Sequence, residues 1–317
     1  AAERDYAWQA EAGKSYDIRI EYMQAAGEAV LRFDVGIPRQ VTAAEVAARV
    51  KDVDVVVFAG GISPKLEGEE MNHIHVEGFA GGDRTSIELP RVQRDILKAL
   101  KAIGKKVVFV NCSGSAMALV PELESCDAIL QAWYPGQAGG EAVADVLFGD
   151  FNPSGKLPVT FYKNTEQLPD YEDYSMKGRT YRYMTEKPLF PFGYGLSYTT
   201  FEITKGKLSK KVVKAGEPVK FSAQVKNTGK RDGTEVVQVY VRKVGDEGGP
   251  VKTLRGFRRV ELKAGASRNV SIELAAEAFE FFDAATHTMR VMPGKYEVTF
   301  GNSSDTPSAN TLKVTLI

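Results

Sequence analysis

Three regimes of hydrophobic spacing follow one another along the chain. Between residues 14 and 36, Tyr16, Ile18, Ile20 and Tyr22 alternate with Ser15, Asp17, Arg19 and Glu21. After the turn Ala25-Ala26-Gly27-Glu28, Ala29, Leu31, Phe33 and Val35 alternate again. A period of two is that of a half-buried strand, so a β-hairpin is expected here. A lone hairpin is barely stable in water. It therefore packs on the next domain, or belongs to a β-domain whose remainder lies outside this sequence.

From residue 41 to 163 the pattern becomes that of alternating strands and helices. Thr42 with Glu45 three positions on is a capping box that starts a helix. Val53–Phe58 is an apolar run interrupted only by Asp54, as expected for a strand buried on both faces. After Pro90, the residues Val92, Ile96, Leu97, Leu100 and Ile103 fall on one helical face, and Val107–Val110 is a second buried strand. Ser113–Val120 opens a short helix and Ala128–Leu130 a third strand. Gly139–Phe148 is helical, with Ala142, Val143, Val146 and Leu147 turned inward. Strands and helices joined by short links predict a mostly parallel sheet with helices on both faces. Ligands of such sheets sit at the carboxyl ends of the strands.

Residues 164–200 carry many Tyr, Pro and Gly and little periodicity, which marks a linker. Beyond 201 the period is two: Val219, Phe221, Ala223, Val225; then Val237, Val239, Val241; then Tyr296, Val298, Phe300. Turns recur at Asn227-Thr228-Gly229, Lys263-Ala264-Gly265 and Pro293-Gly294. About seven short strands predict a β-sandwich of immunoglobulin or fibronectin type. The organisation is then 1–38, the end of an incomplete β-domain; 39–163, the α/β domain; 164–200, the linker; and 201–317, the sandwich.

Composition narrows the functions. The 317 residues hold 41 Lys+Arg against 41 Asp+Glu, so no basic excess exists to bind nucleic acid electrostatically. No apolar run approaches a membrane span. Two cysteines, Cys112 and Cys126, neither staple a chain of this size nor build a four-ligand zinc site. They are either a pair or two buried thiols.

Candidate chemistry concentrates after the first strand. Gly60 and Gly61 let the chain turn sharply, and Glu67, Glu69 and Glu70 then cluster at the carboxyl end of that strand. Crowded, partly buried carboxylates there suit general-acid work, whereas the plain alternative is a solvated acidic loop. His73 and His75, with Glu67 or Glu69, form at most a weak metal candidate beside a polar loop edge. Asp83-Arg84 reads as an ion pair or a helix-start contact that fixes the loop. Trp133-Tyr134-Pro135-Gly136 is a core plug or an aromatic surface near the ligand face. The run Asn111-Cys112-Ser113-Gly114-Ser115 lacks the pattern of a nucleophile elbow, and no phosphate-binding glycine loop appears.

Several runs together carry a family resemblance. They are Gly82-Asp83-Arg84 with Ile87-Glu88-Leu89-Pro90 and Gln93, Ala128–Gln137 with Gly139-Gly140, and above all Ala144–Phe161 (ADVLFGDFNPSGKLPVTF). Pro191–Phe201 (PFGYGLSYTTF), Glu235–Val241, Leu254-Arg255-Gly256-Phe257 and Pro293-Gly294-Lys295-Tyr296 extend it. Over residues 45–317 the chain resembles the carboxyl-terminal part of glycoside hydrolase family 3, the β-glucosidase and β-xylosidase family, with its fibronectin type III-like module. Residues 14–36 resemble, more weakly, the last hairpin of a protective-antigen-type β-domain.

The resemblance implies retaining, exo-acting hydrolysis of a β-linked sugar. It places the aspartate nucleophile in an amino-terminal barrel absent from this chain, so the chain alone is expected to be inactive. It gives the general acid/base to Glu67, with Glu69 second. Here the sequence departs from the compact E-x-x-G-x-D-R pattern, because Met71–Ala80 separates the glutamates from Gly82-Asp83-Arg84. The resemblance implies no cofactor and no metal, a β-linked oligosaccharide or glycoside as substrate, no nucleic-acid or membrane partner, and a periplasmic or secreted location. The competing reading is a non-catalytic carbohydrate-binding or scaffold module.

Overall fold

The computed structural model describes residues 6, 8–23, 25–27, 31–36, 41–68 and 76–317. The chain divides into two compact units, residues 1–41 and 42–317. In the first unit, Trp8 packs edge-on against Tyr16, and the Tyr16 hydroxyl accepts from the Glu11 N–H at 2.8 Å. The described residues between 14 and 36 contain no ladder strand, and Tyr16, Ile18, Ile20 and Tyr22 are 44–52% exposed. The turn of the expected hairpin lies in part outside the described residues.

The second unit opens with helix α1 (Ala43–Arg49), fixed by the capping box that its sequence spells. The Glu45 N–H donates to Thr42 Oγ1 at 3.2 Å, and the Thr42 N–H donates to Glu45 Oε2 at 2.9 Å. Strand β1 (Val55–Gly61) follows, then a small hairpin of β2 (Phe79–Ala80) and β3 (Asp83–Arg84). Helix α2 (Arg91–Ala102), β4 (Lys106–Cys112), α3 (Val120–Ser125), β5 (Ala128–Gln131) and α4 (Gly139–Phe148) complete the α/β layer. Strands β1, β4 and β5 form a parallel sheet in the order β1-β4-β5. Val107 and Phe109, with Val56 and Phe58 beside them, pack against Leu97 and Leu100 of α2 and against Val46 and Val50. Leu97 and Leu100 are fully buried, and each stabilises the layer by roughly 1.5–3 kcal/mol.

Three details differ from the sequence expectation. Val55 and Val57 stay 49% and 53% exposed, because β1 is the edge of the three described strands and its second face is open. Val92 and Ile103 lie at the two ends of α2, where the chain leaves the core, and are half exposed. Residues 113–119 are not helical; Met117, Ala118 and Leu119 are buried as irregular chain, and Ala118 N–H donates to Ile87 O at 2.8 Å.

A strap of residues 149–200 leads to the sandwich. It contains helix α5 (Thr180–Tyr183) and is pinned by aromatic contacts, Tyr181 stacking on Phe192 and Phe190 on Tyr194. Asn152 accepts from Ser197 Oγ and from the Tyr198 N–H, both at 2.8 Å, and donates to Asp232 O. Lys156 pairs with Glu235 at 2.7 Å, both side chains being almost buried.

The sandwich holds β6 (Phe201–Leu208), β7 (Val212–Val213), β8 (Val219–Asn227), β9 (Gly233–Lys243), β10 (Thr253–Leu262) and β11 (Ser267–Leu274). The hairpin β12 (Glu280–Asp283) and β13 (Thr288–Val291), then β14 (Gly294–Gly301) and β15 (Thr311–Leu316), follow. One sheet runs β10-β9-β14-β15-β7 and the other β11-β8-β6. Every residue singled out from its period of two in β8, β9 and β14 is buried between them. The expected class therefore holds: an α/β domain with a parallel sheet and helices, followed by a fibronectin type III-like sandwich.

Candidate functional site

The carboxyl ends of β1, β4 and β5 meet at one rim. There β1 ends on Gly61, whose φ is +122°; a Cβ at this position would stand 2.0 Å from Cys112 O. Only glycine fits that conformation and approach. Gln93 of α2 clamps the same residue from the side. Its amide donates to Gly61 O at 2.7 Å and its carbonyl accepts from the Gly61 N–H at 2.8 Å. The Ile62 N–H donates to Cys112 O at 2.9 Å, so the exit from β1 is tied to the end of β4.

Beyond this clamp, Ser63 O accepts from the Leu66 N–H at 2.8 Å and from the Glu67 N–H at 3.1 Å. This turn sets Glu67, half-buried, on the rim. Ser115, arriving from the segment after β4, donates its hydroxyl to Glu67 Oε1 at 3.3 Å. The same hydroxyl accepts from Arg84 Nη1 at 2.9 Å, and that nitrogen also donates to Ala116 O at 3.1 Å. Arg84 Nε donates to Ser86 O. Burial lowers the Arg84 guanidinium from its ordinary value, while the carboxylates of Glu67 and Glu88 oppose that fall. Arg84 is thus the loop-fixing contact read from the sequence, reaching across to the β4 segment rather than to a helix start.

Behind Ser115 runs a buried polar chain. Asn111, at the end of β4 and fully buried, donates to Gln131 Oε1 at 2.6 Å. The Gln131 amide donates to Ser113 Oγ at 3.1 Å, and Ser113 Oγ donates to Ser115 O at 2.9 Å. These bonds fix one another's direction in a low-dielectric interior, while Asn111 Oδ1 itself has no hydrogen-bond partner among the described residues.

Glu88 anchors the neighbouring loop. Burial disfavours its charge, but hydrogen bonds from Ser86 and from the Thr165 hydroxyl and N–H outweigh it and pull the carboxyl down to about 2. Trp133-Tyr134 divides between its two readings. Trp133, at φ +58°, packs edge-on against Phe161, whereas Tyr134 is 44% exposed and its ring fills the space beside Gly114.

Glu69, Glu70, His73 and His75 lie outside the described residues. Among the described residues no cluster of three His, Cys, Asp or Glu side chains has metal-binding geometry. Cys112 and Cys126 are both free thiols, standing at opposite ends of the strands they adjoin. Burial, helped by the nearby Glu122 and Asp127 carboxylates, pushes Cys126 up to about 11. The sequence assigns Ser115, Asn111 and Gln131 no role in this site; the run Asn111–Ser115 enters there only as a rejected nucleophile elbow. Their signal is a run of small polar residues directly after a buried strand, at the end where ligands bind.

Comparison with known proteins identifies the class that this architecture defines. Residues 5–198 match the glycosyl hydrolase family 3 C-terminal domain, and residues 235–304 match the fibronectin type III-like domain. The chain belongs to glycosyl hydrolase family 3. It is 55% identical over 309 residues to a xylan 1,4-beta-xylosidase of Xylanibacter ruminicola, covering 97% of this chain and 35% of the relative. It is 39% identical to a periplasmic beta-glucosidase of Salmonella typhimurium, covering 90% of this chain and 37% of the relative. Among solved structures, a β-glucosidase from Erythrobacter marinus superposes with a TM-score of 0.74 at 36% identity, over 87% of this chain and 36% of the other. The chain thus spans about a third of the length of the curated relatives it matches.

Proposed function

We propose that this chain is the carboxyl-terminal portion of a retaining, exo-acting β-glycosidase of β-xylosidase or β-glucosidase type. In this reading Glu67 is the general acid/base and the nucleophile lies in an amino-terminal barrel domain. The observation that carries it is the placement of Glu67: half-buried on the carboxyl rim of a parallel sheet, where ligands of such sheets bind. The activities for which the similar proteins are named support the same reaction class. Glu67 protonates the glycosidic oxygen as the nucleophile attacks the anomeric carbon. It then takes a proton from the water that releases the sugar. Retention requires the two carboxyl groups to stand about 5–5.5 Å apart, so the rim must face the barrel mouth.

The 317-residue chain by itself is expected not to cleave aryl β-xylosides or β-glucosides, while the chain joined to its barrel domain cleaves them. Efficient hydrolysis by the isolated chain overturns the proposal. We place the enzyme in the periplasm or outside the cell, where oligosaccharide substrates are met; a periplasmic relative supports this, and cell fractionation tests it.

A further inference from the structure

Glu67 does not stand alone on the rim: among the described residues a hydroxyl hydrogen-bonds its carboxyl. Ser115 lies 48 residues further along the chain and donates to Glu67 Oε1 at 3.3 Å. Ser115 is itself fixed twice. Arg84 Nη1 donates into its Oγ at 2.9 Å, which directs the hydroxyl hydrogen away from Arg84 and toward the carboxylate. Ser113 Oγ holds its backbone carbonyl at 2.9 Å. Ser113 is in turn locked by Gln131 and Asn111, on the ends of β5 and β4 at the rim. A rotatable hydroxyl thereby becomes a donor of defined direction.

We propose that Ser115 is the positioning residue for Glu67, relaying the fixed geometry of Arg84 and of the β4 and β5 strand ends to the acid/base carboxyl. This rests on the reading of Glu67 as the acid/base. The 3.3 Å separation is long for an O–H···O bond. Such bonds in substrate-free sites tighten when substrate is bound. The value of the contact is orientation. A carboxyl swinging about its last torsion must find the leaving oxygen each turnover, whereas a carboxyl with one oxygen anchored presents the other to the substrate. Arg84 itself is a poor probe, because it also holds Ser86 O and Ala116 O and its removal disturbs the loop.

The test uses the full-length enzyme with its barrel, and a pair of aryl β-xylosides, one with a poor and one with a good leaving group. Ser115→Ala is expected to lower kcat/KM on the poor leaving group about tenfold more than on the good one, equivalent to about 1.4 kcal/mol at the transition state. KM and the melting temperature should stay near those of the parent, and Ser115→Thr, which retains the hydroxyl, should restore the ratio. A purely structural role lowers both substrates alike and does not respond to leaving group. Glu67→Gln is the control. If it shows the leaving-group split and Ser115→Ala does not, the positioning role is overturned while the assignment of Glu67 stands. If Glu67→Gln shows no split, the assignment of Glu67 fails, and the role of Ser115 with it.

Discussion

The motif with the strongest family character, residues 144–161, contains a lysine whose work is architectural. Lys156 meets Glu235 of β9 at 2.7 Å, with the two side chains 13% and 6% exposed. Lys156 Nζ also donates to Gly195 O at 3.0 Å, and Glu235 is further held by the Asn302 amide at 3.1 Å and the Val236 N–H at 2.7 Å. Replacing Lys156 by Met keeps the aliphatic stem and removes the cation. Breaking a buried pair from one side typically costs about 3–5 kcal/mol, because a charge stays behind unpaired. Here two hydrogen bonds to the carboxylate survive, which points to the lower end, about 3 kcal/mol. The double variant Lys156→Met/Glu235→Gln removes both charges and should recover most of that loss. Urea unfolding of the chain, followed by far-ultraviolet circular dichroism and by the fluorescence of Trp133, which packs on Phe161 of the strap, reads both effects as midpoint shifts. A single variant that costs less than about 1 kcal/mol, or a double variant worse than the single, would refute the reasoning.

Two further variants probe the α/β layer. Gly61→Ala should destabilise this layer by at least about 1–3 kcal/mol, since alanine disfavours φ +122° and its Cβ would collide with Cys112 O; an unchanged thermal midpoint contradicts the clamp at the end of β1. Glu122, almost wholly buried beside Arg94 at 3.2 Å, has its carboxyl pushed up by burial against the pull of Arg94. The folded state thus holds that proton more tightly than the unfolded chain. Stability from this group is full below about pH 4 and is lost as pH rises through the folded value. The stability of Glu122→Gln relative to the parent should therefore increase from pH 4 toward neutrality, and a difference that is flat with pH contradicts it.

What the sequence discloses depends on how local its cause is. The sandwich is plain because Val219, Phe221, Val237, Val239, Tyr296 and Val298 each alternate within one strand, and a period of two needs no knowledge of the partner strand. The capping box of α1 is equally local. The open face of β1 is not, because an apolar run reads the same whether both faces or one are covered, and Val55 and Val57 are half exposed. The residues 113–119 mislead for a related reason. Their backbone is satisfied by Ile87 and their neighbourhood by Arg84, both from a distant loop. The rim itself was legible in part. Glu67 came from resemblance and from its place after a buried strand. Its contact with Ser115, and the contact of Ser115 with Arg84 across 31 residues, exist only because parallel crossovers bring the strand ends together.

The central claim is that Glu67 hands a proton from this rim to the leaving oxygen of a glycoside. It is tested most directly by azide rescue of Glu67→Ala in the full-length enzyme, with Glu69→Ala alongside, on an activated aryl β-glycoside. With the base gone, azide, which needs no deprotonation, should restore turnover and give a β-glycosyl azide. Formation of that product by Glu67→Ala and not by Glu69→Ala is the expected result. Rescue confined to Glu69→Ala, with Glu67→Ala still releasing the free sugar at the parent rate, would contradict the account.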